Sequence, residues 1–270
     1  MNASIKSKIK SIDSALLGGA AHKIYKILFQ KRPPTQEELF EILNKNLGYR
    51  IIIHYGKNRS CLLSELCDKY GSDKGEIKTV GHPYPWSSQT FADFYSRLFD
   101  QRRIDIRKVF ECGLGTNNSN LLSSMGLDGR PGASLRVWRE YFPNAQIVGG
   151  DIDRNILFEE ERIKTFYVDQ TDPKAIAELW DQVGLKDFDF MIDDGLHTYE
   201  AGICLFENSI SRLSKDGVYC IEDVIMRDLL KFKEYFERYK AYQVEYVNLL
   251  RPNQALLDNN LVVIRVASET

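Results

Sequence analysis

The sequence predicts an α/β fold: a mostly parallel sheet with helices on both faces, an antiparallel hairpin at its edge, and a small helical appendage at the amino end. Two observations carry this expectation. Short apolar runs of strand length, each closed by acid or glycine, alternate with segments of helical period. The clearest unit is Phe188 to Val224, where the runs Phe188 to Ile192 and Val218 to Ile221 flank a helix over Thr198 to Leu213. Ile203, Phe206, Ile210 and Leu213 give that helix its apolar face, and Lys215-Asp216-Gly217 supplies the stop and turn. This is a strand-helix-strand crossover, and ligands of such units bind beyond the carboxyl ends of the strands.

The elements follow in order. Residues 1–32 carry seven Lys or Arg against one Asp, and Ile5, Ile9, Ile12 and Leu16 form an apolar stripe that Ile24 and Leu28 resume. This basic amphipathic segment docks on its own domain or on a sister subunit, with peripheral membrane contact as the alternative. Pro33-Pro34 ends it, and Thr35-x-x-Glu38 is a capping box opening a helix with Leu39, Leu43 and Leu47 on one face. The appendage is therefore placed at residues 1–58 and the main domain at 59–270. Ser64 to Tyr70 reads as a short helix, followed by Gly71-Ser72-Asp73-Lys74-Gly75. The loop His82-Pro83-Tyr84-Pro85-Trp86 reads as a lid over the site. Thr90 to Leu98 is a helix burying Phe91, Phe94, Tyr95 and Leu98.

Lys108 to Cys112 begins the sheet and runs into Gly113-Leu114-Gly115, a glycine turn whose amides face any ligand beside it. The turn lacks the third glycine of a dinucleotide fingerprint, because Asn118 stands there. Ala133 to Tyr141 is the first crossover helix, with Leu135 and Trp138 toward the sheet. Gln146 to Gly149 is a strand ending in Gly150-Asp151-Ile152-Asp153, and an acid here is placed to clamp two ribose hydroxyls. Lys164 to Val168 is a strand ending in Asp169-Gln170, at the level of an adenine edge. Helices follow at Pro173 to Val183 and, after the crossover, Arg227 to Tyr239. The final runs, Gln243 to Val247 and Leu261 to Val266, make the edge hairpin.

Composition narrows the function class. At 270 residues the chain holds one α/β domain plus an appendage, and 43% hydrophobic with 27% charged content is that of a soluble globule. A net charge of −2 argues against a whole-surface nucleic-acid binder. Five cysteines without a CxxC pair read as reduced core residues of a cytoplasmic protein. No apolar run approaches the length of a membrane span.

The two crossover strands both end in acid, at Asp193-Asp194 and Glu222-Asp223. Adjacent strands lie about 4.8 Å apart, so these carboxylates converge. With no Lys or Arg inside either acidic end, a metal is the simpler counter-charge, and oxygen ligands favour Mg²⁺, with Mn²⁺ or Ca²⁺ as alternatives. His197, three residues beyond Asp194, overhangs the same volume, where near a dication it is expected to be neutral and able to act as a base.

At this point the residues resemble a family: class I S-adenosylmethionine-dependent methyltransferases, and within it the metal-dependent sugar O-methyltransferases of the mycinamicin and macrolide glycoside type. The motifs that carry it are Tyr70-Gly-Ser-Asp-Lys-Gly75, Glu111-x-Gly-x-Gly115, Gly132-Ala-Ser-Leu-Arg-x-Trp138, Tyr141-Phe-Pro-Asn-Ala145, Asp169-Gln170, Ile192-Asp-Asp-Gly-x-His197 and Ile221-Glu-Asp223. They span about residues 66 to 225. The resemblance implies a Rossmann-like fold with a seven-stranded sheet, with S-adenosylmethionine and Mg²⁺ as cofactors. It implies metal ligands Asp194, Glu222 and Asp223, and His197 as the catalytic base. The cofactor-binding set is then Glu111, Gly113, Gly115, Asp151, Asp169, Gln170 and Asp193. The implied partner is a small sugar, nucleotide sugar or glycoside acceptor, a phosphate-linked acceptor being the alternative, and amino-terminal extensions in the family imply a homo-oligomer. Two features depart from the pattern: Leu196 stands where the family has Ser, and Asn117 to Arg130 is a longer loop. Two rivals from other classes are a nicotinamide dehydrogenase, opposed by the missing glycine, and a non-catalytic adaptor, opposed by the intact acids.

Overall fold

A computed structural model describes Glu38, Glu41 and Lys45 together with residues 51–54, 60–75, 86, 88–250 and 258–267. The chain divides into two units, residues 1–49 and 50–270. In the first, the three described residues are helical. The basic segment at 1–32 and most of the lid loop, residues 76–85, lie outside the described residues.

The second unit is built on a nine-stranded sheet. Its strands are β1 (Ile51–His54), β2 (Lys108–Cys112), β3 (Gln146–Asp151), β4 (Glu159–Glu160), β5 (Ile163–Tyr167), β6 (Phe188–Asp193), β7 (Leu213–Ile221), β8 (Tyr242–Leu250) and β9 (Asn260–Val266). Their order is β1-β8-β9-β7-β6-β2-β3-β5-β4. The seven strands expected from sequence are all present, and β1 and the two-residue β4 extend the sheet at its two ends. Ile51–His54, assigned from sequence to the appendage, pairs in parallel with β8, so the boundary at residue 58 moves to Tyr49. The antiparallel pair β8/β9 is accordingly covered by β1 rather than forming the edge itself.

The helices are α1 (Leu62–Tyr70), α2 (Phe91–Phe99), α3 (Ala133–Tyr141), α4 (Pro173–Val183), α5 (Tyr199–Ser209) and α6 (Met226–Phe236). Local chemistry sets several ends. Asp172 caps α4 through Lys174 N with Pro173 in the first turn, and left-handed Gly184 closes it. Thr198 caps α5 through Ala201 N. The helix expected to reach Leu213 stops at Ser209, and a 3₁₀ turn at Ile210–Arg212 leads directly into β7. Lys215 to Gly217 is an excursion within β7 rather than a turn before it, since the register jumps from Phe188↔Leu213 to Phe190↔Val218.

That irregularity distributes the aromatic core. Phe190 packs against Tyr95 and Trp138 under α2 and α3, whereas Phe188, two residues away, packs against Phe110 and Trp180 under α4. Side chains two apart would share a face in a regular strand. The chain runs outward from β2 through β3 to β5, then returns to start β6 and β7 on the other side of β2. The switch point therefore lies between β2 and β6, and a ligand crevice is expected beyond their carboxyl ends.

Candidate active site

Such a crevice is present as a cavity of about 760 Å³. Gly113 follows β2 and Asp194 follows β6, one on each side of the switch point. Their backbones touch so closely that a methyl group on Gly113 would overlap the Asp194 carbonyl. Gly113 has φ +96° and Gly115 φ +76°, conformations a side chain makes costly. Both line the cavity with Asp151 and Asp169. Each Asp151 oxygen accepts one amide, Oδ2 from Leu114 N at 2.7 Å and Oδ1 from Asp153 N at 2.8 Å. Burial raises the Asp151 pKa against the lowering effect of these amides. Asp169 Oδ1 is shared by the amide and hydroxyl of Thr171. The long loop at 117–130 folds back over the glycine turn, with Met125 N donating to Thr116 O at 2.9 Å and Leu121, Leu122 and Met125 joining the cavity wall.

β6 and β7 are parallel neighbours with Asp193 opposite Ile221, so Asp194 and Glu222 leave the sheet side by side. Asp194, His197 and Asp223 converge, each offering an atom within 4.8 Å of the others. His197 Nε2 lies 3.3 Å from Asp194 Oδ1 and 3.6 Å from Asp223 Oδ2. His197 and Asp223 both hold left-handed backbone, φ 56° and 49°, which costs on the order of 1 kcal/mol or more each and is kept only where surroundings enforce it. Desolvation opposes a charge on His197, but Asp223 and Asp194 outweigh it and raise its pKa to about 10. With no ion between them, the two carboxylates favour a proton on the imidazole; the neutral ring expected from sequence belongs to the site with a divalent ion bound.

Glu222 is placed differently from the other two predicted ligands. It is 1% exposed, its Oε1 accepts the Tyr95 hydroxyl at 2.6 Å, and its Oε2 meets Lys74 Nζ. The same ammonium reaches Asp194 Oδ2 at 2.6 Å and Glu111 Oε1 at 3.1 Å. Lys74 is 2% exposed; burial acts against its charge, but the three carboxylates hold its pKa well above the ordinary lysine value. The acidic ends themselves hold no Lys or Arg, as expected, but a cation from elsewhere in the chain joins them. Lys74 stands there, delivered by the turn after α1, and sequence reasoning missed it because it lies 120 positions from Asp194 and 148 from Glu222. Its only sequence signal was membership of the Tyr70-to-Gly75 motif.

Two more predicted residues sit behind the cavity wall. Glu111 is fully buried, with Oε2 accepting from Trp138 Nε1 at 2.8 Å. Asp193 is 3% exposed and accepts from Gln170 Nε2; burial raises its pKa to about 6 against that bond. On the opposite wall, Gln89 Nε2 donates to Asp223 Oδ1 at 2.8 Å, and Trp86 Nε1 donates to Asp73 Oδ2 at 2.9 Å. Trp86, Gln89 and Asp73 all line the cavity.

Comparison with known proteins places this arrangement. MycE from the mycinamycin biosynthetic pathway, a methyltransferase solved with Mg, SAH and mycinamycin VI, superposes with a TM-score of 0.55 at 22% identity, over 78% of this chain and 56% of that one. The fold is a methyltransferase fold. In sequence, the chain is 32% identical over 162 residues to the 8-demethyl-8-alpha-L-rhamnosyl tetracenomycin-C 2'-O-methyltransferase of Streptomyces olivaceus, covering 60% of this chain and 37% of that protein. It is 32% identical over 159 residues to the demethylmacrocin O-methyltransferase of Streptomyces fradiae, covering 58% and 38%. The chain thus spans under two-fifths of the length of these curated relatives. No family model matches it.

The donor chemistry of this methyltransferase fold can be tested against a metal and a nucleoside cofactor. Asp194 Oδ1 and Asp223 Oδ2 face one point beside an imidazole at an open cavity wall. Two carboxylates with free positions suit a hard divalent ion that completes its shell with water and substrate oxygens. The left-handed glycine turn with Asp151 beside it suits an adenosyl group carrying an amino-acid tail. The residues fit both groups. No helix among the described residues is long and apolar enough to cross a membrane, and the five cysteines are unpaired.

Proposed function

We propose that this chain is an S-adenosylmethionine-dependent, divalent-metal-dependent O-methyltransferase acting on a hydroxyl of a sugar or glycoside. The observation that carries the reading is the meeting of Asp194, His197 and Asp223 at the wall of the cavity that also holds the glycine turn and Asp151. The curated relatives act by name as O-methyltransferases, several on glycosylated natural products, which supports the acceptor class.

Asp151 would hold the ribose, Asp169 the adenine end, and Gly113 and Gly115 the methionine end. Asp194 and Asp223 would hold the metal, preferentially Mg²⁺. When bound, the cofactor supplies a methyl on a positively charged sulfur and the ion lowers the pKa of a neighbouring hydroxyl. With a divalent ion as counter-charge, the two carboxylates no longer keep a proton on His197. His197 Nε2 would then accept the hydroxyl proton as the methyl group passes to that oxygen. Asp73, Trp86 and Gln89 form the acceptor side, offering hydrogen-bond partners and a ring face. Residues 1–49 would serve docking or homo-oligomerisation.

The test is calorimetric titration with S-adenosylhomocysteine, followed by methyl incorporation into a panel of free sugars, nucleotide sugars and glycosides. Binding of S-adenosylhomocysteine that survives EDTA, with turnover that EDTA abolishes and Mg²⁺ restores, is the expected result. Absence of S-adenosylhomocysteine binding, or full turnover after metal stripping, refutes the reading.

A further inference from the structure

We infer that the Gln170 side chain is a positioning residue that brackets the loop carrying Asp194 and His197, rather than a contact for the adenine; the inference rests on the methyltransferase reading above.

Gln170 lies three residues beyond β5, lines the cavity, and meets the end of β6 with its side chain. It is 8% exposed. Its Nε2 donates to Asp193 Oδ1 at 3.0 Å and its Oε1 accepts from Leu196 N at 2.6 Å. The amide orientation is fixed by chemistry, since an ionised carboxylate only accepts and a backbone N–H only donates. Between these two anchors lie Asp194 and Gly195, and His197 follows with its left-handed φ of 56°. The other side of the loop is held by Asp194 N donating to Cys112 O at 2.9 Å. Gln170 and Cys112 therefore hold the loop at Asp193, Asp194 and Leu196, immediately before the strained His197 backbone.

Gly195 supplies an independent sign of the same contact. Its φ is not in the left-handed region, so the backbone itself would accept alanine. A methyl group there would nevertheless collide with Oε1 of Gln170 and with no other residue. The Gln170 amide occupies the space that a side chain at 195 would take. The consequence is a rigid link from the adenine end, next to Asp169, to the metal and base end of one cavity.

The experiment uses the full chain and three variants: Gln170→Ala, Gly195→Ala and the double substitution. Calorimetry measures S-adenosylhomocysteine affinity, electron paramagnetic resonance measures Mn²⁺ affinity without acceptor, and methyl transfer gives kcat and KM. For Gln170→Ala the expected result is a fall in Mn²⁺ affinity and kcat of about 10-fold or more, the usual cost of losing a partner that orients a ligand, with S-adenosylhomocysteine affinity held within about threefold. Gly195→Ala should show the same pattern, and the double variant should be no worse than either single, because one contact is lost in all three. A loss of S-adenosylhomocysteine affinity of about 10-fold with Mn²⁺ affinity unchanged, or additive losses in the double variant, overturns the inference. Gln170→Leu keeps the volume and serves the same comparison if the alanine variant does not fold. A wild-type chain that binds neither S-adenosylhomocysteine nor Mn²⁺ defeats the methyltransferase reading; a wild type that binds both, with unaltered variants, defeats this inference alone.

Discussion

Replacing Lys74 by methionine tests the electrostatic core of the site. The ammonium lies 2.6 Å from Asp194 and 3.1 Å from Glu111, also meets Glu222, and is 2% exposed. Methionine has a similar length and no charge, so Lys74→Met leaves little cavity and removes only the counter-charge. Breaking a buried ion pair by deleting one partner costs about 3–5 kcal/mol, because the remaining charge stays desolvated. Here three carboxylates lose one cation, while Glu222 keeps the Tyr95 hydroxyl and Glu111 keeps the Trp138 indole, so the middle of that range, about 4 kcal/mol, is the expectation. For a unit of this size, 1 kcal/mol shifts Tm by roughly 2–4 °C, giving a fall of roughly 8–16 °C. The assay is thermal unfolding followed by circular dichroism in EDTA. A shift below about 2 °C would refute the claim that Lys74 is the counter-ion of the strand-end acids. Lys74→Arg keeps the charge and should recover part of the loss; an arginine variant as unstable as the methionine one would locate the effect in packing instead.

Other predictions follow from single contacts. His197→Ala should lower turnover about 100-fold or more while S-adenosylhomocysteine affinity stays near wild type; unchanged kcat removes His197 from the chemistry. Gly113→Ala should cost about 2 kcal/mol or more in urea unfolding, since it combines left-handed strain with overlap on the Asp194 carbonyl, and a neutral effect would mean that the glycine turn and the Asp194 loop do not touch. Asp151→Asn turns one of two amide acceptors into a donor facing an N–H, so S-adenosylhomocysteine should bind about 10-fold more weakly by calorimetry; equal affinity would place the ribose elsewhere.

Which parts of the molecule were legible in its sequence depends on how far apart the interacting residues are. Helix α4 was read to the residue, Pro173 to Val183, and the structure shows its ends set by local signals, Asp172, Pro173 and Gly184. The convergence of Asp194, His197 and Asp223 was legible because two adjacent parallel strands place their exits together, a rule that needs only strand ends and sheet order. β1 was not legible: three isoleucines and a histidine have no period of their own, and their pairing partner β8 lies nearly 200 positions away. The contacts of Gln170 were not legible for a related reason. Its position after a strand is a local fact, but the direction of its amide toward Asp193 and Leu196 is not.

The sequence by itself determined the alternating strand and helix order, the glycine turn after β2, and the acids at the strand ends, because hydrophobic period and turn chemistry act over a few residues. Only the tertiary structure decided how those acids are shared. It gives Lys74 to Glu222, Glu111 and one oxygen of Asp194, and leaves Asp194 Oδ1 and Asp223 Oδ2 facing His197. Charges brought into a low-dielectric interior must find partners there, and those partners are set by which loops the packed sheet brings over its edge.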